Sequence, residues 1–301
     1  MKQKFKLKTP VLFLVFNRLK TTKKVFNEIK KVKPKKFYIA ADGPRNEKEK
    51  YKTESVREYI LTHINWPCKV KTLFREKNLG CRYAVSSAIT WFFQNERMGI
   101  ILEDDCLPSQ SFFRFCQELL EKYKNEKKVA LISGYNPIEE LTKRMKESYW
   151  FSKNSFIWGW ATWRKAWRKY KFVITKEDIA KIVNLKINFL EKILLKKRLK
   201  DVLNNKVNTW DYQWDFTLKE NELLCIVPKV NLIENIGFFE STFTNIRPNK
   251  IDKFFLYKKR SNILFPLIHP KKIIAYEKFD NLISLKDFER VILKKLTSFF
   301  L

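Results

Sequence analysis

A chain of 301 residues that is 45% hydrophobic and 15% aromatic can bury one large α/β core or two small ones, which excludes a disordered protein. Its 62 Lys and Arg against 32 Asp and Glu give a formal charge of +30, a field that draws nucleic acid, anionic lipid or phosphorylated substrates without choosing among them. Much of that charge is scattered lysine, which reads first as solvated surface. The five cysteines, Cys68, Cys81, Cys106, Cys116 and Cys225, lack metal-ligand spacing and are odd in number, so no disulfide framework is expected. No leader and no apolar run near the roughly 20 residues of a membrane span precedes the first strand. The expectation is a cytoplasmic protein, peripheral at an inner membrane if it meets one.

In chain order, the apolar run 11–16 predicts a strand buried on both faces. Residues 21–33 place Val25, Phe26, Ile29 and Val32 at helical spacing. A second strand is predicted at 37–41, stopped by Asp42, Gly43 and Pro44. A helix at 54–64, a strand at 68–74 and a helix at 83–95 follow. A strand at 99–102 runs into Glu103, Asp104 and Asp105, then come a helix at 111–124 and a strand at 129–133. This alternation predicts a mostly parallel sheet with helices on both faces. The second half is less regular. It has a tryptophan-rich stretch at 155–170, a long basic amphipathic helix at 179–203, a helix from Trp210 to about Asn221, and a strand at 223–227 closed by Pro228. From about residue 248 the chain is basic and aromatic, and 282–301 has the Leu, Ile, Phe and cationic pattern of an interfacial helix. With only 6 glycines, no phosphate-cradling glycine loop is expected.

Ligands of such sheets sit at the carboxyl ends of strands. Arg18, Asp42 and the triplet Glu103, Asp104, Asp105 all fall there. Three consecutive acids after a buried strand repel one another, and a divalent cation with oxygen preference relieves that repulsion. The alternative is an acid placed at a helix N-terminus. Asp42 can accept the imide N–H of uracil, and Arg18 can pair with diphosphate oxygens. Together these describe a nucleotide-diphosphate pocket.

Seven words occur in sequence: VFNR (15–18), ADGP (41–44), EKNLG (76–80), ILEDD (101–105), ISGYN (132–136), WGWATW (158–163) and WDYQW (210–214). Through them the chain, over roughly residues 10 to 240, resembles nucleotide-sugar transferases of the GT-A fold. In particular it is similar to bacterial relatives of the N-acetylglucosaminyltransferase that begins complex N-glycan branching. The resemblance implies an α/β, Rossmann-like domain over 1–247, with a donor half at about 9–135, an acceptor half at about 136–247 and a basic C-terminal extension at 248–301. It implies that Arg18 and Asp42 bind the nucleotide, and that Asn78 and Arg82 approach the diphosphate or donor sugar. Glu103 and Asp104 would hold sugar and ribose hydroxyls, and Asp105 would ligate Mn²⁺ or Mg²⁺. Trp160, with Gly159, would lie against a sugar, and Asp211 would be the catalytic base. One departure is a missing histidine: relatives often carry one late in the domain, whereas residues 235–242 have none.

The implied reaction is inverting transfer from a UDP-sugar, N-acetylglucosamine or a related hexose, to a hydroxyl of a glycan or lipid-linked glycan in surface polysaccharide or lipooligosaccharide synthesis. Asp215, one helical turn after Asp211, is a rival base, and Asp211 as a plain helix cap is the other alternative. Tryptophan faces suit pyranose rings; Trp160 and Trp210 are the candidates and the other tryptophans are expected in the core. From other classes, the charge admits a nucleic-acid-binding protein, with 253–260 as the nearest basic aromatic patch, although no nucleic-acid-binding motif accompanies it. A nucleotidyltransferase using the same acidic cluster is the alternative within enzymes.

Overall fold

The computed structural model describes residues 5–237 and 255–299. The first half follows the alternation read from the sequence. Strands β1 (Val11–Val15), β2 (Lys36–Ala41), β3 (Lys69–Phe74) and β4 (Met98–Glu103) alternate with helices α1 (Leu19–Val32), α2 (Glu47–His63) and α3 (Gly80–Asn95). Helix α2 begins at Glu47 rather than residue 54, because the Asn46 side chain caps it by accepting from the Glu49 N–H at 3.1 Å. A cap of this kind leaves no mark in apolar periodicity. Next come β5 (Cys106–Pro108), α4 (Gln110–Lys122), β6 (Val129–Ser133), the single turn α5 (Glu139–Thr142), β7 (Tyr149–Ser152), β8 (Trp160–Trp163) and the turn α6 (Arg164–Trp167). The chain continues through α7 (Lys176–Lys181), α8 (Phe189–Leu203), α9 (Asp211–Glu220), β9 (Leu224–Pro228), β10 (Ile233–Asn235) and α10 (Glu277–Phe299).

Eight strands form one sheet in the order β3-β2-β1-β4-β8-β6-β9-β7, and β10 pairs with β5 in a small second sheet. Strands β3, β2, β1 and β4 are mutually parallel, as are β6 and β9. Strand β8 is antiparallel to both its neighbours, and β7 is an antiparallel edge. The expectation of a mostly parallel α/β sheet therefore holds, with β8 as an unforeseen reversed strand at its middle. Both faces are covered. Val11, Phe13, Val15, Ile100 and Leu102 face α1, α2 and α4, while Leu12, Leu14, Ile101 and Leu131 face α3 and α9. Alternate residues of one strand thus serve two cores, which is why the strands read as continuous apolar runs.

The helix expected over 179–203 is broken. Helix α7 opens with a capping box at Thr175, a 3-10 turn spans Ile182–Asn184, and α8 restarts where the Asn188 side chain accepts from the Glu191 N–H. The last segment packs on the main core. Ile263 and Leu267 join one face, Phe255 and Ile283 the other, and the Tyr276 N–H donates to Phe151 O at 2.8 Å along the edge strand. The C-terminal helix starts at Glu277 rather than 282. Among the described residues, no helix is long and apolar enough to cross a membrane.

Candidate active site

Register places the strand ends together. Val15 pairs with Ala41 and Leu14 with Glu103, so the residues after β1, β2 and β4 share one edge of the sheet. The edge bounds a cavity of about 450 Å³ lined by Arg18, Asp42, Arg45, Arg75, Asn78 and Glu103, among others.

Arg18 caps α1 and turns its guanidinium onto the triplet. It bonds Asp104 through Nε (3.5 Å) and Nη2, and Nη2 also donates to Asp105 Oδ2 at 2.9 Å. Burial alone would lower the Arg18 value; the two carboxylates outweigh it and hold the guanidinium charged. Gly237 closes over this ion group, where any Cβ would collide with Asp105 Oδ2 and crowd Arg18 Nη1.

Glu103 is half-buried, and among the described residues no donor hydrogen-bonds to its carboxylate. Burial, then Asp105, Asp104 and Asp211, push it up to about 8. A carboxyl raised on folding contributes stability that is complete below its unfolded value of 4.5 and is lost as pH rises through about 8. Glu103→Gln is therefore expected to leave stability near pH 4 unchanged and to raise it by roughly 5 kcal/mol near pH 9, without added divalent metal. Urea unfolding at the two pH values checks this; an equal effect at both would contradict it.

The expected role of Asp42 is altered by its surroundings. Its carboxylate accepts from the N–H groups of Gly43 (2.9 Å), Leu79 (3.0 Å) and Gly80 (3.1 Å). It thereby joins the β2 turn to the start of α3, and those donors fill about three of the four acceptor positions of the carboxylate, which also lines the cavity. Asn78 lines the cavity, with Nδ2 donating to Gly43 O at 2.8 Å. Arg82 does not reach it. Its guanidinium bonds Phe172 O at 2.8 Å and lies 4.6 Å from the Phe172 ring, on the far side of α3. Arg75 and Arg45 take the place expected for Arg82; Arg45 is bound to Glu49, whereas the Arg75 contact is a neutral one, Ser87 Oγ at 2.8 Å.

Asp105 is the residue expected to hold Mn²⁺ or Mg²⁺. Among the described residues no three His, Cys, Asp or Glu side chains converge on one point. Asp105 has Oδ2 on Arg18 and Oδ1 on Cys106 Sγ at 3.5 Å. Arg18 supplies a neutralising cation on the Oδ2 side, and Mn²⁺ or Mg²⁺ at Asp105 would draw its other ligands from a substrate and water. Residues 238–242, part of the stretch that lacks the relatives' histidine, lie outside the described residues.

A second cavity of about 450 Å³ is lined by Trp158, Arg198, Asp211, Tyr212, Asp215 and Arg290, with others. Asp211 opens α9 and accepts from Thr209 Oγ1. Burial raises it above the ordinary carboxylate value, against the Thr209 bond. Asp211 lines this second cavity, and its charge also reaches Glu103 and Cys81, two residues lining the first. The rival Asp215 is engaged: Oδ1 accepts from Lys219 Nζ at 2.5 Å and Ser155 Oγ at 2.7 Å, and Oδ2 lies 3.6 Å from Arg198. Its burial is outweighed by Lys219 and Arg198, which hold it below the usual value. Asp215 thus remains an ionised part of a salt-bridge network.

Trp160 is no sugar platform in this arrangement. Its ring is fully buried, stacked 5.7 Å from Trp210 and 6.1 Å from Trp214. Trp158, two residues earlier, is half-buried, packs on Tyr135 at 4.6 Å and lines the second cavity. Between them Gly159 takes φ 58°, a left-handed turn that reverses the side on which the next indole falls. Of the two tryptophans in that word, Trp158 and not Trp160 lines the cavity, and the turn that decides this is invisible to spacing.

No family model matches the chain, and no curated protein matches it. Among solved structures it is similar to a Pyrobaculum calidifontis mannosyltransferase in complex with GDP-mannose and Mn²⁺ (13% identity, TM-score 0.37, 54% of this chain and 46% of that one). It is also similar to an apo UDP-glucose pyrophosphorylase (10%, 0.36, 75% and 93%) and to apo mouse xyloside xylosyltransferase 1 (10%, 0.35, 72% and 83%). The chain spans about half the length of the mannosyltransferase. Likeness at these identities and TM-scores carries nothing about activity.

Proposed function

We propose that this protein is an inverting nucleotide-sugar glycosyltransferase, with the donor in the strand-edge cavity and the acceptor hydroxyl in the cavity behind Asp211. The observation that carries the reading is the place of Asp211: a half-buried carboxylate, raised above its ordinary value, lining a cavity edged by Trp158, with its charge reaching Glu103 and Cys81 of the cavity that bears Arg18 and Arg75. A departing diphosphate gathers negative charge, which the fixed guanidinium groups of Arg18 and Arg75 meet without reorganisation. The acceptor hydroxyl gives its proton to Asp211. Its oxygen bonds the anomeric carbon as the carbon–oxygen bond to the diphosphate breaks on the opposite face, which inverts the configuration. Glu103, protonated at neutral pH, offers a hydroxyl donor to a sugar or ribose oxygen. A uridine donor carrying N-acetylglucosamine, and a glycan or lipid-linked glycan acceptor in surface polysaccharide or lipooligosaccharide synthesis, come from the resemblance alone.

Incubation with a panel of UDP- and GDP-sugars, in Mn²⁺, in Mg²⁺ and in EDTA, tests this. The expected products are a glycoside and free nucleoside diphosphate, with slow diphosphate release by water when no acceptor is supplied. Release of a sugar 1-phosphate instead would assign nucleotidyl transfer, and no turnover with any donor in all three conditions would remove the reading. The EDTA arm measures how far Arg18 and Arg75 suffice to hold the diphosphate.

A further inference from the structure

Helices α8 and α10 lie side by side. Asn188 Nδ2 donates to Ser284 Oγ at 3.0 Å, Ser284 Oγ to Glu191 Oε2 at 3.3 Å, and Arg198 bonds Asp287. Leu194, Leu195, Leu199 and Ile283 are buried beneath them. The outer face has an unusual composition. Phe189 is 74% exposed and Ile193, one turn later, 39%; exposed Lys196 and Lys200 continue the same line at helical spacing. Val183, 69% exposed, is joined to that face because Lys192 Nζ donates to its carbonyl at 2.6 Å. The neighbouring α10 exposes Leu285, Ile292 and Leu293. The acids of α8 do not offset these lysines: Glu191 is buried, and Asp201 bonds Lys197 at 2.8 Å.

Single exposed apolar side chains are ordinary on a protein surface. Here they recur at exposed positions of two adjacent helices, on α8 in line with lysine, on a chain whose formal charge is +30. We propose that the paired face of α8 and α10 docks on an anionic lipid surface. The apolar side chains would enter the boundary between headgroups and acyl chains, and the lysines would meet lipid phosphates. The same two helices wall the second cavity through Leu194, Lys197, Arg198, Asp287 and Arg290, so docking brings its mouth to the bilayer. Membrane contact was expected of the C-terminal helix alone. The structure moves the centre of that contact to α8, since α10 turns Asp280, Ile283 and Ser284 inward. The inference depends on surface geometry and not on the reaction proposed above.

Co-sedimentation of the full chain with phosphatidylglycerol-containing vesicles and with pure phosphatidylcholine vesicles tests it. Binding to the anionic vesicles only, weakening as salt rises, is expected. Phe189→Glu with Ile193→Glu should lower partitioning by about tenfold or more with an unchanged unfolding midpoint, because both side chains are exposed. Lys196→Glu with Lys200→Glu should lower it comparably if the first pair perturbs folding. Tyr51→Glu with Leu61→Glu, which makes the same charge change on exposed positions of α2, should retain binding. The proposal is overturned by failure to bind anionic vesicles, by equal binding to neutral ones, or by equal losses in the α2 and α8 variants. A dimer that the Phe189 and Ile193 changes dissociate would overturn it in favour of a second copy of the chain.

Discussion

Asp211→Asn is expected to lower turnover by about 10³-fold while leaving donor binding within about twofold of the parent protein. The substitution keeps the size of the side chain and its Thr209 Oγ1 bond, but removes the only function asked of it, accepting a proton. Donor affinity should survive because the groups assigned to the diphosphate, Arg18 and Arg75, belong to the other cavity. The pH dependence has a defined sign. Burial raises the Asp211 carboxyl, so the acid limb of kcat/KM should lie above the ordinary aspartate range, with activity lost as pH falls through it. Nucleoside diphosphate release measures the rate, and thermal shift with the donor measures binding. Near-parent turnover in the variant would return Asp211 to the role of a helix cap.

Lys219→Met should destabilise the protein by about 3–5 kcal/mol in urea unfolding. Lys219 is 5% exposed and bonds Asp215 at 2.5 Å and Glu191 at 3.1 Å. Its loss leaves two buried carboxylates to Arg198, which already bonds Asp287. Asp215 then has reason to take up a proton, so the deficit should shrink as pH falls; the native pair works in the same direction, since its stabilisation is present above the unfolded carboxylate value and lost as pH falls through the lowered folded one. Replacing Asp215 together with Lys219 by apolar residues should recover part of the loss, since removing a whole buried ion pair costs less than orphaning half of one. A pH-independent deficit would mean that the methylene packing of Lys219, and not its charge, is what matters.

These residues also show where sequence reading stops. The run 11–16, the helical spacing of Val25, Phe26 and Ile29, and the acids following β4 were legible because each is a local pattern with a local cause. The same holds for Asp211 at the start of α9. Strand β8 was not legible: four buried residues between two reversed neighbours carry no alternation, and only the sheet order makes them a strand. Arg75 and Arg45 went unnoticed among 62 basic residues, since nothing local separates a cavity-lining arginine from a solvated one.

By itself, the sequence determined the alternating strands and helices, the carboxyl edge where Arg18, Asp42 and the acidic triplet gather, and the candidacy of Asp211. Apolar periodicity and strand termini are properties of neighbouring residues, so one dimension suffices for them. Partner choice was decided only in three dimensions. Arg18 neutralises Asp104 and Asp105, three backbone N–H groups occupy Asp42, Lys219 and Arg198 hold Asp215, and a left-handed glycine exchanges Trp160 for Trp158 at the cavity. The role of a charged or aromatic group follows from what desolvates and neutralises it, and those neighbours come from distant parts of the chain.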